Sequence, residues 1–245
     1  MTAPVFLCDG PVLVGRDRVV LDGDEGRHAA TVRRLGAGEP VVLVDGAGLR
    51  VEGVVAEAGP GVLAVDVVSR TRVPAPSPRL VVVQALPKGE RAELAVETMT
   101  EVGVDVVVPW AAARCVVQWR GERGRKALSR WRSTAREAAK QSRREWFPTV
   151  AELASTADVA DLLRAAAVGV VLHETATTSL AAVALPDDGD VVVVVGPEGG
   201  LADEEVEAFV DAGAGVYRLG PTVLRTSTAG PAALAVLLSK TTRWR

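Results

Sequence analysis

Two late segments hold the residues best suited to chemistry: Gly196-Pro197-Glu198-Gly199-Gly200 and Leu219-Gly220-Pro221-Thr222-Val223-Leu224-Arg225-Thr226. Glycines let a backbone approach a ligand closely, and a helix that follows such a loop presents unpaired N–H groups at its start. Glu198 supplies a carboxylate able to accept a proton, and Arg225 a cation able to stabilise a developing anion. The first segment is not a GxGxxG dinucleotide fingerprint, and it lacks the Lys-Ser/Thr ending of a P-loop. Taken singly, each feature also has an ordinary explanation. Gly196–Gly200 can be a tight strand-to-helix turn, Thr226, Ser227 and Thr228 can cap a helix, and Arg225 can form a surface ion pair. Their combination defines a candidate ligand cleft.

Such a cleft needs elements that hold both loops at one place. Segments 80–86, 104–109, 167–173, 190–195 and 215–219 read as strands, and 91–102, 122–142, 158–166, 203–212 and 228–240 as helices, with Asp203 as an N-cap. Near-continuous valine runs such as 191–195 suit strands covered on both faces, so the pattern is α/β with a mostly parallel sheet. Ligands in such sheets sit beyond the carboxyl ends of the strands, which is where both loops fall.

The start of the chain reads differently. Short strands at 5–8, 18–21, 41–44, 50–56 and 62–68, separated by Gly and Asp-Gly turns, suggest a small barrel or sandwich. One short helix over 24–35 would carry His28, Arg33 and Arg34. Val73-Pro74-Ala75-Pro76-Ser77-Pro78 reads as a stiff extended linker. The expected division is therefore a first domain over 1–73, a linker over 74–79 and a second domain over 80–245.

Composition narrows the function classes. The chain has 245 residues, 48% of them hydrophobic and 24% charged, the balance of an ordinary globular protein. With 4% aromatics, the core must be built mainly from Val, Ala and Leu. No apolar run reaches the ~20 residues of a membrane span, and Met1 to Gly10 does not read as a signal peptide, so a cytoplasmic protein is expected. Cys8 and Cys115 form no CxxC pair, which argues against a metal site, and a reducing compartment argues against a disulfide.

The net charge of −3 hides an asymmetry. Residues 114–144 contain eleven Lys or Arg and two acids, whereas residues 145–224 contain fourteen acids and two Arg. Local positive potential is what binds phosphate, so the basic stretch is a candidate phosphate-binding surface as well as, more simply, a solvated helix face. Its candidate contacts are Arg114, Arg125, Arg132, Arg136, Lys140 and Arg143. Arg125, Arg132 and Arg136 share a helical face, which Arg143 extends. His28, Arg33 and Arg34 are further candidates for such contacts. Trp119, Trp131 and Trp146 are able to stack on bases, although Trp131 suits core packing better.

The pairing of GPEGG with LGPTVLRTSTA resembles the RsmE family of ribosomal RNA methyltransferases, members of the SPOUT superfamily. The resemblance extends upstream through Pro87-Lys88-Gly89-Glu90-Arg91, the ETMTEVG segment over 97–103, Arg114-Cys115-Val116-Val117, the segment Glu137-Ala138-Ala139-Lys140-Gln141-Ser142, and Leu172-His173-Glu174. It implies an α/β SPOUT domain with a C-terminal trefoil knot, preceded by a small PUA-like β-barrel. It also implies S-adenosyl-L-methionine as donor, N3 of uridine 1498 in 16S rRNA of the 30S subunit as acceptor, and a homodimer with active sites at the interface. Carried over to this chain, the cofactor pocket comprises Leu172, His173 and Glu174, then Gly196, Glu198 and Gly199, then Leu219, Gly220, Val223, Leu224, Arg225 and Thr226. Arg225 would stabilise the uracil anion, and Glu198 or Glu174 would accept a proton.

Two positions depart from the family. Ser227 stands where a Glu is frequent, so that Glu is no obligatory base in this protein. Gly230-Pro231 interrupts an Ala-rich helix start, which predicts a late start or a kink. Three rival readings remain. One is ribose 2′-O-methylation by a related knotted fold, and another is a non-catalytic RNA-binding assembly factor. The third, a nucleotide-binding α/β enzyme, is disfavoured by the missing phosphate fingerprints.

Overall fold

The computed structural model describes residues 3–89 and 91–244. The chain forms two compact units, Met1–Ala75 with Ala139–Phe147, and Pro76–Ala138 with Pro148–Arg245.

In the first unit the elements run β1 (Val5–Leu7), α1 (Gly10–Leu13), β2 (Arg18–Leu21), α2 (Gly23–Arg27), β3 (Pro40–Val44), β4 (Leu49–Gly59) and β5 (Val62–Arg72). The sheet order is β1-β3-β4-β5-β2, with β1 parallel to β3 and the other pairs antiparallel. Alternate residues of β4 and β5 are buried, and Val51, Val55, Leu63 and Val65 join Phe6, Leu13 and Leu43 in one core. Register shifts at Glu52/Gly53 and Val55/Glu57 mark bulges, which add bend and twist to this long hairpin. The helix expected over 24–35 is instead α2 followed by a π-helical turn, His28–Val32, closed by Arg33 N–H donating to the His28 carbonyl at 2.8 Å. Arg34, at φ 55°, then turns the chain out of the helical path.

The segment Ala139–Phe147 belongs to this first unit, although the sequence reading left it in the second domain. Its contacts explain the difference. The Lys140 ammonium lies 2.5 Å from Glu25 Oε1, and Arg50 pairs with Glu145 at 3.3 Å. The Trp146 indole N–H donates to the Val73 carbonyl at 3.0 Å, and Phe147 N–H to that of Gly46 at 2.9 Å. These bonds join residues far apart in sequence, and no local pattern announces them.

The second unit contains β6 (Arg79–Ala85), α3 (Arg91–Val102), β7 (Val106–Trp110), α4 (Gly121–Gln141, whose last residues enter the first unit), β8 (Thr149–Val150), α5 (Thr156–Ala165), β9 (Val168–Leu172), β10 (Asp190–Val195), α6 (Asp203–Asp211), β11 (Gly215–Tyr217) and α7 (Thr226–Leu238). The sheet is parallel throughout, in the order β11-β9-β10-β6-β7-β8. Side chains alternate between its faces. Leu80, Val82, Val191 and Val193 pack with α3, α4 and α7 through Val96, Met99, Trp131 and Leu234. Val81, Val83, Val192 and Val194 pack with α5 and α6 through Val159, Leu163 and Phe209. That two-sided burial is why the strands read as unbroken valine.

Element boundaries differ from expectation at several places, and three departures bear on the packing. Ala202, not Asp203, is the N-cap of α6, and Glu205 Oε2 accepts its N–H at 3.0 Å. Strand β8 has two residues, too few for any periodicity. Helix α7 starts at Thr226, before the expected 228, and continues through Pro231. A Cβ at Gly230 would lie 2.7 Å from Met99 Sδ, so the glycine is what lets α7 close on α3.

Candidate active site

Strands β11, β9 and β10 are adjacent and parallel, so the loops after them emerge at one edge of the sheet. Together they line a cavity of about 350 Å³. His173 and Glu174 come from the loop after β9, Gly196 and Glu198 from that after β10, and Leu219, Gly220, Val223, Leu224, Arg225 and Thr226 from that after β11; Leu172 closes β9 itself. Of the residues expected to form the pocket, Gly199 alone is absent from its lining. It faces Arg114 instead: a Cβ there would sit 3.1 Å from Arg114 Cβ and 3.2 Å from the Arg114 carbonyl oxygen.

The loops are tied from beneath. Thr226 is 5% exposed; its Oγ1 donates to the Gly196 carbonyl at 2.8 Å and accepts from Gln84 Nε2 at 2.9 Å. Gln84 Nε2 also donates to the Ala85 carbonyl, while Gln84 Oε1 is buried with no hydrogen-bond partner among the described residues. From the side, Arg114 donates to the carbonyls of Leu201 at 2.8 Å and Gly199 at 3.5 Å. Buried Glu205 accepts the neighbouring Ala113 N–H at 2.7 Å. At the front, Glu198 Oε1 accepts the Lys88 N–H at 3.0 Å, joining the glycine loop to the turn before α3. His173 Nδ1 accepts the Thr175 N–H at 3.3 Å, so a neutral ring carries its proton on Nε2.

Two properties of the last loop bear on ligand binding. Among the described residues, the backbone groups of residues 219–224 make no intrachain hydrogen bond. Unspent peptide donors and acceptors at a cavity wall are the means of reading a heterocycle's edge. The Arg225 backbone carbonyl instead caps α7, accepting from Thr228 and Ala229 at 2.9 Å, while its exposed guanidinium has no partner among the described residues.

The basic candidates separate on inspection. Arg125 and Arg136 are exposed on α4 without partners among the described residues. Arg132 is exposed but donates to the Val150 carbonyl and to Glu152. Arg114 serves the glycine loop. Lys140 is 7% exposed and bonded to Glu25, so it is withdrawn from the RNA set: a buried, paired ammonium is closed to phosphate. Arg143, Arg33 and Arg34 are exposed in the first unit, while His28 packs edge-on against Phe6. Trp131 is buried edge-to-face on Trp119, and Trp146 spends its N–H on Val73. Burial pushes both thiols, Cys8 and Cys115, above the ordinary range.

Sequence reasoning missed Arg91, Arg218 and Thr222 in the cavity wall. Arg91 carried a signal, since it ends the Pro87–Arg91 motif, in which Glu90 lies outside the described residues. Arg218 and Thr222 carried none.

A parallel sheet with a cavity built from three strand ends, preceded by a separate β unit, defines the class. The RNA methyltransferase domain family matches residues 74–238, and the RNA methyltransferase PUA domain family matches residues 21–67. The chain is 50% identical, over its whole length and 94% of theirs, to proteins named ribosomal RNA small subunit methyltransferase E from Mycobacterium tuberculosis and Mycobacterium bovis. It is also similar to a solved methyltransferase from Legionella pneumophila described in complex with bound SAM. That likeness has a TM-score of 0.86 at 26% identity, covering 98% of this chain and 99% of that one. The chain belongs to the ribosomal RNA small subunit methyltransferase E family.

Proposed function

We propose that this protein transfers a methyl group from S-adenosyl-L-methionine to N3 of a uridine in 16S rRNA, uridine 1498, of the small ribosomal subunit. The observation that carries the reading is the cavity on three adjacent parallel strand ends, with free peptide groups over 219–224 on one wall. Its chemistry fits the donor. Leu172 and Leu219 offer apolar surface to an adenine face, and the unspent peptide groups suit its edge. When bound, the donor supplies an electrophilic methyl group.

The chain then has two tasks. The first is alignment, which contributes ~7–11 kcal/mol when reacting atoms are held in a near-attack geometry. The ties from Thr226, Arg114 and Glu198 hold the walls in place for it. The second is charge. Uridine N3 must lose its proton, and Arg225 holds the resulting anion as an oriented cation does for other oxyanions. Glu198 has one oxygen committed to Lys88; Oε2, which makes no hydrogen bond among the described residues, is the atom that accepts the N3 proton.

The exposed arginines of α4, Arg125 and Arg136, contact rRNA phosphate, and in the first unit Arg33, Arg34 and Arg143 do the same. The target base leaves its stack to enter the cavity. A C-terminal trefoil knot and a homodimer complete the reading. Val223 is 79% exposed at the cavity mouth and Leu224 39%, apolar surface that a second copy would cover. No helix is long and apolar enough to cross a membrane among the described residues. Calorimetry with S-adenosyl-L-methionine tests the reading against a non-catalytic assembly factor: saturable binding supports it, and no binding removes its basis.

A further inference from the structure

Arg91, Arg218 and Arg225 line the cavity, and among the described residues none of their guanidinium groups has an acidic partner. The carboxylates in the same wall are Glu174 and Glu198. Resting on the function proposed above, the donor brings a sulfonium, an ammonium and one carboxylate, a net cation. It cannot satisfy three arginines. The other reactant, a nucleotide, does bring an anion to them.

Arg91 is the most telling of the three. It is the first residue of α3, where the helix dipole favours an anion and disfavours a cation. Glu93, the acid of that first turn, lies nearer to Arg130, at 3.8 Å. Among the described residues, no ion pair at the start of α3 accounts for the charge of Arg91. It also comes from outside the three loops assigned to the donor, on the turn that Glu198 holds through the Lys88 N–H. Lys88 on that turn is exposed and its ammonium lacks an acid partner among the described residues.

We infer that Arg91 is a substrate-binding residue that grips a phosphodiester of the target nucleotide, on the side of the cavity where Lys88 is tied to Glu198. A planar guanidinium matches two phosphate oxygens at once. The Glu198 tie then has a second consequence, because it fixes the distance between the donor wall and the nucleotide wall.

The test compares wild type, Arg91→Ala and Arg91→Lys on 30S subunits lacking the modification, with S-adenosyl-L-methionine affinity measured in parallel. Arg91→Ala is expected to raise KM for the subunit about ten-fold or more, as loss of a charge-assisted bond does. Donor affinity should stay unchanged. The slope of log KM against log salt should fall by about 0.7–0.9, the value of one phosphate contact. Arg91→Lys should recover the slope and part of the KM. Weakened donor binding in Arg91→Ala would overturn the inference, because Arg91 would then face the donor's carboxylate. So would an unchanged KM and slope. Subunit binding measured without turnover reports the same slope, so an inactive wild type would count against the proposed activity while Arg91 is still judged.

Discussion

Thr226 Oγ1 donates to the Gly196 carbonyl at 2.8 Å, so a buried hydroxyl at the start of α7 holds the loop that follows β10. The same oxygen accepts from Gln84 in the middle of the sheet. Thr226→Val keeps the shape but leaves the Gly196 carbonyl and one Gln84 N–H without their partner. It should cost about 1–3 kcal/mol of stability and weaken donor binding, and Thr226→Ser should restore both. Wild-type melting and affinity in the valine variant would show that the tie is idle.

Glu198 has two separable duties, and two substitutions separate them. Glu198→Gln can still accept the Lys88 N–H, so donor affinity should hold while kcat falls by roughly 10²–10⁴, the usual value of a general base. Glu198→Ala should lose both. Full turnover in the glutamine variant would leave Glu198 as a brace only.

Arg114 and the α4 arginines should behave oppositely. Arg114→Ala frees the glycine loop, and donor affinity should drop with little change in the salt dependence of rRNA binding. Arg125→Ala and Arg136→Ala should each lower the salt slope by about 0.7–0.9 and spare donor affinity. The reverse pattern would return Arg114 to the RNA surface.

Lys140→Ala should destabilise the first unit, because Glu25 keeps a largely buried carboxylate without its cation. Since Glu25 retains some exposure, the expected cost is about 1–3 kcal/mol, below that of a fully buried pair. A denaturant melt reads it. No effect on stability, with a loss of rRNA affinity instead, would contradict the structural role.

Asp158 supplies a pH test. It accepts the Ser155 backbone N–H and hydroxyl at the start of α5, and these bonds hold its carboxyl below the ordinary range. A lowered folded-state value means stabilisation that is present above the unfolded value and is lost as pH falls through the folded one. The melting difference between wild type and Asp158→Ala should be full near neutrality and close below about pH 4. A pH-independent difference would mean that the charge is irrelevant.

Much of this architecture could be read in advance because its causes are local. Valine runs announce strands covered on both faces, and α3 falls on its expected residues, 91–102. Both chemistry-bearing loops follow strands that end where the apolar run ends, so their place beyond the sheet was legible. Other features rest on contacts without a local signature. Lys140 looks like one more cation on a basic helix until Glu25, 115 residues away, is brought to it. Gly230 looks like a helix breaker until Met99 is seen against it. Arg114 sits in a basic run that invites an RNA reading, yet its hydrogen bonds go to Gly199 and Leu201. Arg218 reaches the cavity because β11 lies beside β9, an order that strand spacing does not reveal.

The most direct measurement incubates 30S subunits lacking the modification with labelled S-adenosyl-L-methionine and either wild type or Arg225→Ala, then maps the methyl group. The account predicts one methyl on N3 of a single 16S rRNA uridine, with turnover lowered about 10²-fold or more in a folded Arg225→Ala protein. A methyl group on a ribose 2′-oxygen, or wild-type turnover without Arg225, would contradict it.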